Sequence, residues 1–142
     1  MATTLLGALA DRFDGYGGLT ALVGSSGLYV GQEPEGVALP FVVVTHQGEV
    51  PEWTTEKAYT TIATVQFNCY AKGCAAVEAI ALQVKGCFDW CQANLNINGA
   101  TPIRMTRTMY VLAAEAVRAS DGALVYRAQL DYEVEVNRTL TS

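Results

Sequence analysis

One histidine, and nine lysines and arginines against fourteen acidic residues, leave this chain short of the groups that most chemistry uses. The net charge of -5 argues against a nucleic-acid grip, because such a grip needs a basic patch to displace phosphate counterions. No apolar run approaches the ~20 residues of a membrane span. The first residues, Met1-Ala2-Thr3-Thr4-Leu5-Leu6, lack the basic segment that opens a signal peptide, so synthesis in a reducing cytoplasm is expected. Charged residues make up only 16% of the chain. So sparse a charge is what a small protein hiding part of its surface in an assembly would show, although apolar atoms cover much of any protein surface.

Catalytic patterns are missing in the same way. His46 ends an apolar run with no partner signal around it, and reads as a satisfied or edge histidine rather than a general base. Ser25-Ser26 sits between glycines without the Gly-x-Ser-x-Gly spacing or the preceding strand of a nucleophile elbow. Gly15 to Gly18 follows a helix rather than a strand, and no phosphate-loop sequence occurs. The four cysteines, Cys69, Cys74, Cys87 and Cys91, lack paired Cys-x-x-Cys knuckles. Buried packing is their expected role. Asp131, Glu133 and Glu135 line one strand face, but hard-metal ligation would need further oxygens converging from elsewhere. No catalytic, cofactor or metal residue is therefore assigned.

What is present is patterning. At 142 residues the chain is expected to be one domain, 1–142, with a core that needs no disulfide. Thr3 to Phe13 reads as a helix with Leu5, Leu6, Leu9 and Phe13 on one stripe. A short helical turn, Leu19 to Val23, stops at Gly24. Leu28 to Val30 is extended, and a Pro/Gly loop ending at Leu39-Pro40 enters a strand from Phe41 whose Val-rich run suits burial on both faces. Gly48 to Lys57 is too polar and long for a tight turn, so an extended hairpin arm or a long surface loop is expected. Tyr59 to Tyr70 alternates as a half-buried strand, and Cys74 to Ala93 reads as an amphipathic helix. Asn98-Gly99 marks a tight turn before the strand that Pro102 enters. Leu124 to Val136 alternates as a long strand, with Asp131, Glu133 and Glu135 on its wet face. The fold class is α+β: a mainly antiparallel sheet with helices packed against it.

A two-residue turn at Asp121-Gly122 would set Val111 opposite Tyr132, Ala113 opposite Leu130 and Val117 opposite Tyr126. That register puts Leu112, Ala114 and Ala116 on the wet face beside Arg127, Gln129 and Asp131, and it leaves Glu115 awkwardly on the apolar one. The small apolar patch has two readings: a contact between copies repeated around an axis, or a face covered by the Thr3 to Phe13 helix. Trp53, with Glu52 beside it, lies in a polar connection. Its two readings are an interface anchor and an aromatic folded back on its own domain.

The order of these motifs resembles the bacteriophage tail-completion proteins, the tail terminators of long-tailed phages. The residues that carry the likeness are Leu19-Thr20-Ala21-Leu22-Val23-Gly24, the step Leu39-Pro40-Phe41-Val42-Val43, the strand Val65 to Ala71, and Arg127 to Val134 at the close. The resemblance implies a virion protein of the tail or neck, not an enzyme, assembled in the host cytoplasm. It implies a ring, typically a hexamer, that binds the end of the tail tube protein, stops tube polymerisation and presents the head–tail joining surface to a connector protein. DNA would pass through the lumen without specific binding, which suits acidic residues such as Asp131, Glu133 and Glu135 facing it. No cofactor or membrane is implied. The rival classes are a head–tail connector or neck ring protein, and a small ligand-binding module.

Overall fold

The computed structural model describes residues 4–24, 27–31, 39–53, 58–97, 99–114 and 125–139. Among the described residues three α-helices, α1 (Leu5–Asp14), α2 (Gly17–Val23) and α3 (Cys74–Phe88), accompany five strands. The strands are β1 (Leu28–Val30), β2 (Phe41–Trp53), β3 (Ala58–Ala71), β4 (Ala100–Ala114) and β5 (Tyr126–Thr139). They form one sheet in the order β1-β2-β3-β5-β4, antiparallel except for the β1–β2 pair. The fold is α+β, as the alternation of helical and strand periods indicates.

The connections follow from local chemistry. Thr4 caps α1 by accepting the Gly7 N–H at 3.0 Å, worth about 0.5–2 kcal/mol. Leu5, Ala8, Leu9 and Phe13 recur at helical spacing and are buried. β3 leads through α3 into β4, and β5 returns between them, so the last strand is an interior one beside the edge strand β4. Gly99, at φ +77, is in the left-handed region that a tight turn needs, and Ala100 bridges back to Ile97.

All three helices pack on one face. The core cluster joins their buried residues to Val42 and Val44, to the odd-numbered positions Ala63 to Ala71 of β3, and to Ala128, Leu130, Tyr132, Val134 and Val136 of β5. Phe67, Phe88 and Tyr132 meet at its centre, the first two stacked at 4.5 Å and Tyr132 edge-on to Phe67 at 5.7 Å. Phe41 and Val43 are buried too, but on the opposite face, so the Val-rich run is covered on both sides. Among the described residues no helix lies on that second face.

Two expectations need correction, and one pair of alternatives is decided. First, α3 stops at Phe88 rather than reaching Ala93. Asp89 turns extended, and Trp90 takes φ +55 with its N–H donated to the Met105 carbonyl at 2.9 Å. A tertiary bond replaces the next helical one. Second, the segment after Gly48 is strand rather than loop over Gly48 to Trp53, paired with Tyr59 to Thr64. It is the hairpin arm of the two alternatives, and a bulge at Gln47 aims it. Third, the closing pair has a different register. Leu112 faces Ala128, Tyr110 faces Leu130 and Arg107 faces Tyr132, with pairing irregularities at Ile103 and Thr108. The displacement is three residues, which reverses the face of every side chain on β4 near Leu112. Glu115 no longer opposes Ala128; it lies outside the described residues, as do Ala116, Val117 and the Asp121-Gly122 turn.

Candidate interaction surface

The helix-free face of the sheet is a polar ladder. Its rows are set by strand alternation: Thr60, Ile62, Thr64, Gln66 and Asn68 on β3, and Arg127, Gln129, Asp131, Glu133, Glu135 and Asn137 on β5. Asp131 accepts from Gln66 at 3.1 Å and from Gln129 at 3.3 Å. Asn68 donates to Gln66 at 2.9 Å and accepts from Arg127 at 3.4 Å. Further along, Thr60 donates to Asn137 at 2.8 Å, and Arg104 on β4 pairs with Glu135. Asp131, Glu133 and Glu135 are thus half-buried members of a face shared with amides and guanidiniums, rather than a bare acidic strip.

β4 borders this face. Register places Met109 opposite Asp131 and Val111 opposite Gln129, and both apolar side chains are exposed. Leu112, expected on this side, instead packs partly buried against the core. Ala114 pairs with Tyr126. The exposed apolar positions of β4 are therefore the neighbours of those expected. α1 does not cover the polar face either, because its buried residues join the core on the other side. The three-residue displacement is already in place at the Ala114–Tyr126 pair, ahead of the irregularity at Thr108, so it is the assumption of a two-residue turn that fails.

At the far end of the sheet the β2–β3 arm carries Val50 and Trp53, exposed at 62% and 56%. Trp53 rests on Tyr59 with ring centroids 4.4 Å apart. Its indole is neither buried in the core nor unsupported: one face is braced by its own hairpin and the remainder meets solvent. Glu52 is exposed beside it, opposite Thr60. At the root of the arm, His46 lies 3.8 Å from Glu49, and Arg138 lies 3.9 Å from the same carboxylate. These three, with Tyr59, Thr4 and Leu6, border a cleft of about 450 Å³. His46 there is an edge histidine in a loose ion-pair cluster, with a carboxylate and a guanidinium but no nucleophile among its described neighbours.

The cysteines divide. Cys69, Cys87 and Cys91 are buried, as expected, and Cys74 at the start of α3 is exposed beside Glu78. Burial drives the Cys87 thiol up to about 12 against the opposing pull of Arg12, and drives Cys91 up to about 11. Thiols held so high are packing groups, not nucleophiles or ready metal ligands. Among the described residues no three His, Cys, Asp or Glu side chains converge as a metal site.

Two exposed aromatic or aliphatic positions escaped the sequence reading: Trp90, 64% exposed just after α3, and Leu82, 65% exposed on its outer side. Leu82 shares the helical side of Glu78 and Lys85, so its spacing turns it away from the buried stripe of Val77, Ile80, Val84, Cys87 and Phe88.

No family model and no curated protein matches the chain. Among solved structures, the chain is similar to one from "Virion of native gene transfer agent (GTA) particle", with a TM-score of 0.71 at 16% identity, over 94% of this chain and 94% of that one. At that identity the likeness shows a shared fold across nearly the whole length of both chains.

Proposed function

We propose that this chain is a structural, non-enzymatic protein of a phage virion that caps the end of the tail tube as a ring, ends tube polymerisation and forms the head–tail joining surface. The observation that carries this reading is the end-to-end fold shared with a chain of a virion particle. The order of sequence motifs independently resembles the tail terminators. The surface supports it chemically. A polar sheet face without helices suits a lumen through which DNA passes, since its carboxylates repel phosphate while its amides keep it wetted. The hairpin arm, with Trp53 at its end and Glu52 beside it, suits a contact with a neighbouring copy or the tube protein, because a braced aromatic anchors an interface at low entropic cost.

Native mass spectrometry at micromolar concentration tests the ring: a single cyclic species, expected as a hexamer, supports the reading, and a monomer at all concentrations contradicts it. Depletion separates the terminator from a neighbouring neck-ring protein. Tails of uncontrolled length mark the terminator; heads lacking a connector mark the other.

A further inference from the structure

Thr61 sits at the centre of a block of side chains on the helix-covered side of the sheet. Trp53, Tyr59 and Arg138 form one cross-strand row there, Pro51, Thr61 and Val136 the next, and Glu49, Ala63 and Val134 the third. Glu49 and Arg138 are therefore opposite corners of the block. Arg138 reaches Glu49 at 3.9 Å, so the pair crosses above Thr61. Thr61 is 1% exposed, and its Oγ1 has no hydrogen-bond partner. A buried hydroxyl in that state is destabilising, and so calls for a reason.

The cleft of about 450 Å³ opens over the same block. His46, Glu49, Tyr59 and Arg138 line it from the sheet, and Thr4, Leu5 and Leu6 line it from the first turn of α1. Thr4 satisfies the Gly7 N–H, which leaves the Leu5 and Leu6 N–H groups without an intrahelical acceptor. The positive end of α1 thus lies at the cleft. Donors predominate: the Arg138 guanidinium, the His46 imidazole, the Tyr59 and Thr61 hydroxyls and the end of α1. Glu49 is the only carboxylate among the lining residues. It stands 3.8 Å from His46 and 3.9 Å from Arg138, beyond hydrogen-bond distance of either.

We propose that this cleft is an oxyanion site, taking a carboxylate or phosphate group, with Glu49 as a built-in occupant that an external anion displaces. Glu49 is placed to leave. Its side chain is 40% exposed, and it hydrogen-bonds neither cation, so its carboxylate can turn to water. Its departure uncovers Thr61, whose hydroxyl then donates to the incoming oxygen. Arg138 supplies the charge, and the end of α1 adds its free N–H groups. Without Glu49 the lining residues carry net positive charge in a chain of net charge -5. Tyr59, which braces Trp53, lines the cleft, so the site lies at the root of the arm. It does not depend on the ring.

Isothermal titration calorimetry of the full chain with inorganic phosphate and with acetate tests the site, whatever oligomer the chain forms. Saturable binding is expected, abolished in Arg138→Gln. Glu49→Gln is expected to bind about tenfold more tightly, because a like charge a few ångströms away is gone. Thr61→Val keeps the shape of the side chain, so it is expected to weaken binding while raising the urea midpoint. That variant carries the test if Arg138→Gln fails to fold. Binding of acetate as well as phosphate assigns the carboxylate of a polypeptide as the source, and binding of phosphate alone assigns a phosphate group. No heat of binding with either anion, in the parent and in Glu49→Gln, overturns the inference. So does a Glu49→Gln protein that binds no more tightly than the parent, which would make Glu49 a structural partner of Arg138.

Discussion

The Tyr132 hydroxyl donates to Asp89 Oδ1 at 2.5 Å, tying the interior strand β5 to the residue at which α3 ends. Arg107 approaches the other oxygen of the same carboxylate at 3.5 Å. One carboxylate therefore joins helix, interior strand and edge strand, and it fixes the position of Trp90 beside β4. Tyr132→Phe removes a charge-assisted bond from a buried site and is expected to lower unfolding stability by about 1.5–3 kcal/mol in urea titration. An unchanged midpoint would mean that the contact only accompanies packing.

Alkali acts through the buried acids. Tyr132 is raised above the ordinary phenol range by burial and then by Asp89, and Cys91 and Cys87 are raised to about 11 and 12. A folded-state value above the unfolded one means stability that is complete below the unfolded pKa and is lost as pH rises past it. For the thiols that window runs from about 8.5 up to the folded values, and for the phenol from about 10 upward. The urea midpoint is expected to fall steadily from pH 8 to pH 11. A midpoint that holds level across that range contradicts the assignment of these groups as buried and protonated.

The register on β4 separates two adjacent residues. Leu112→Asp places a charge against the core and is expected to cost several kcal/mol or abolish folding. Val111→Asp, one position along on the helix-free face, is expected to leave the monomer within about 1 kcal/mol of the parent and to weaken assembly. Circular dichroism with urea titration reads the first effect and native mass spectrometry the second. The reverse outcome would restore the register that a two-residue turn implies.

Core and arm aromatics should likewise differ. Phe67→Ala empties a fully buried site and is expected to destabilise by about 3–5 kcal/mol. Trp53→Ala loses only its stacking on Tyr59, so about 0.5–1.5 kcal/mol is expected, with loss of ring or tube binding. If Trp53→Ala unfolds the domain, Trp53 is part of the fold's support and not an interface anchor.

Strong periodicity made most of the fold legible. The stripe of Leu5, Leu9 and Phe13 and the alternation from Ala128 to Val136 each name their own buried face, and both faces are where the pattern puts them. The misreadings occur where a distant bond overrides local pattern or an assumed turn length fails. α3 ends early because Met105 and Tyr132 claim the groups of Trp90 and Asp89, a pairing over fifteen and forty-three positions that no local window contains. β4 has the opposite face inward near Leu112 because its pairing with β5 is already three residues out of step with a two-residue turn at Ala114–Tyr126, and Val111 and Leu112, both apolar, do not themselves choose a face. Trp53 was legible as an aromatic without a local core, because its surroundings are polar. The cleft over Thr61 was not, since it exists only once the register sets Glu49 and Arg138 at opposite corners around that residue.

The central claim is that this chain stops tube growth by occupying a tube end. It is tested most directly by adding the purified protein, at increasing ratios, to tail tube protein polymerising from a preformed tip, and measuring tube lengths by electron microscopy. The account predicts that lengths shorten as the ratio rises and that a ring sits on the growing end of each arrested tube. Tubes that elongate to the same lengths at every ratio, with bare ends, would contradict it.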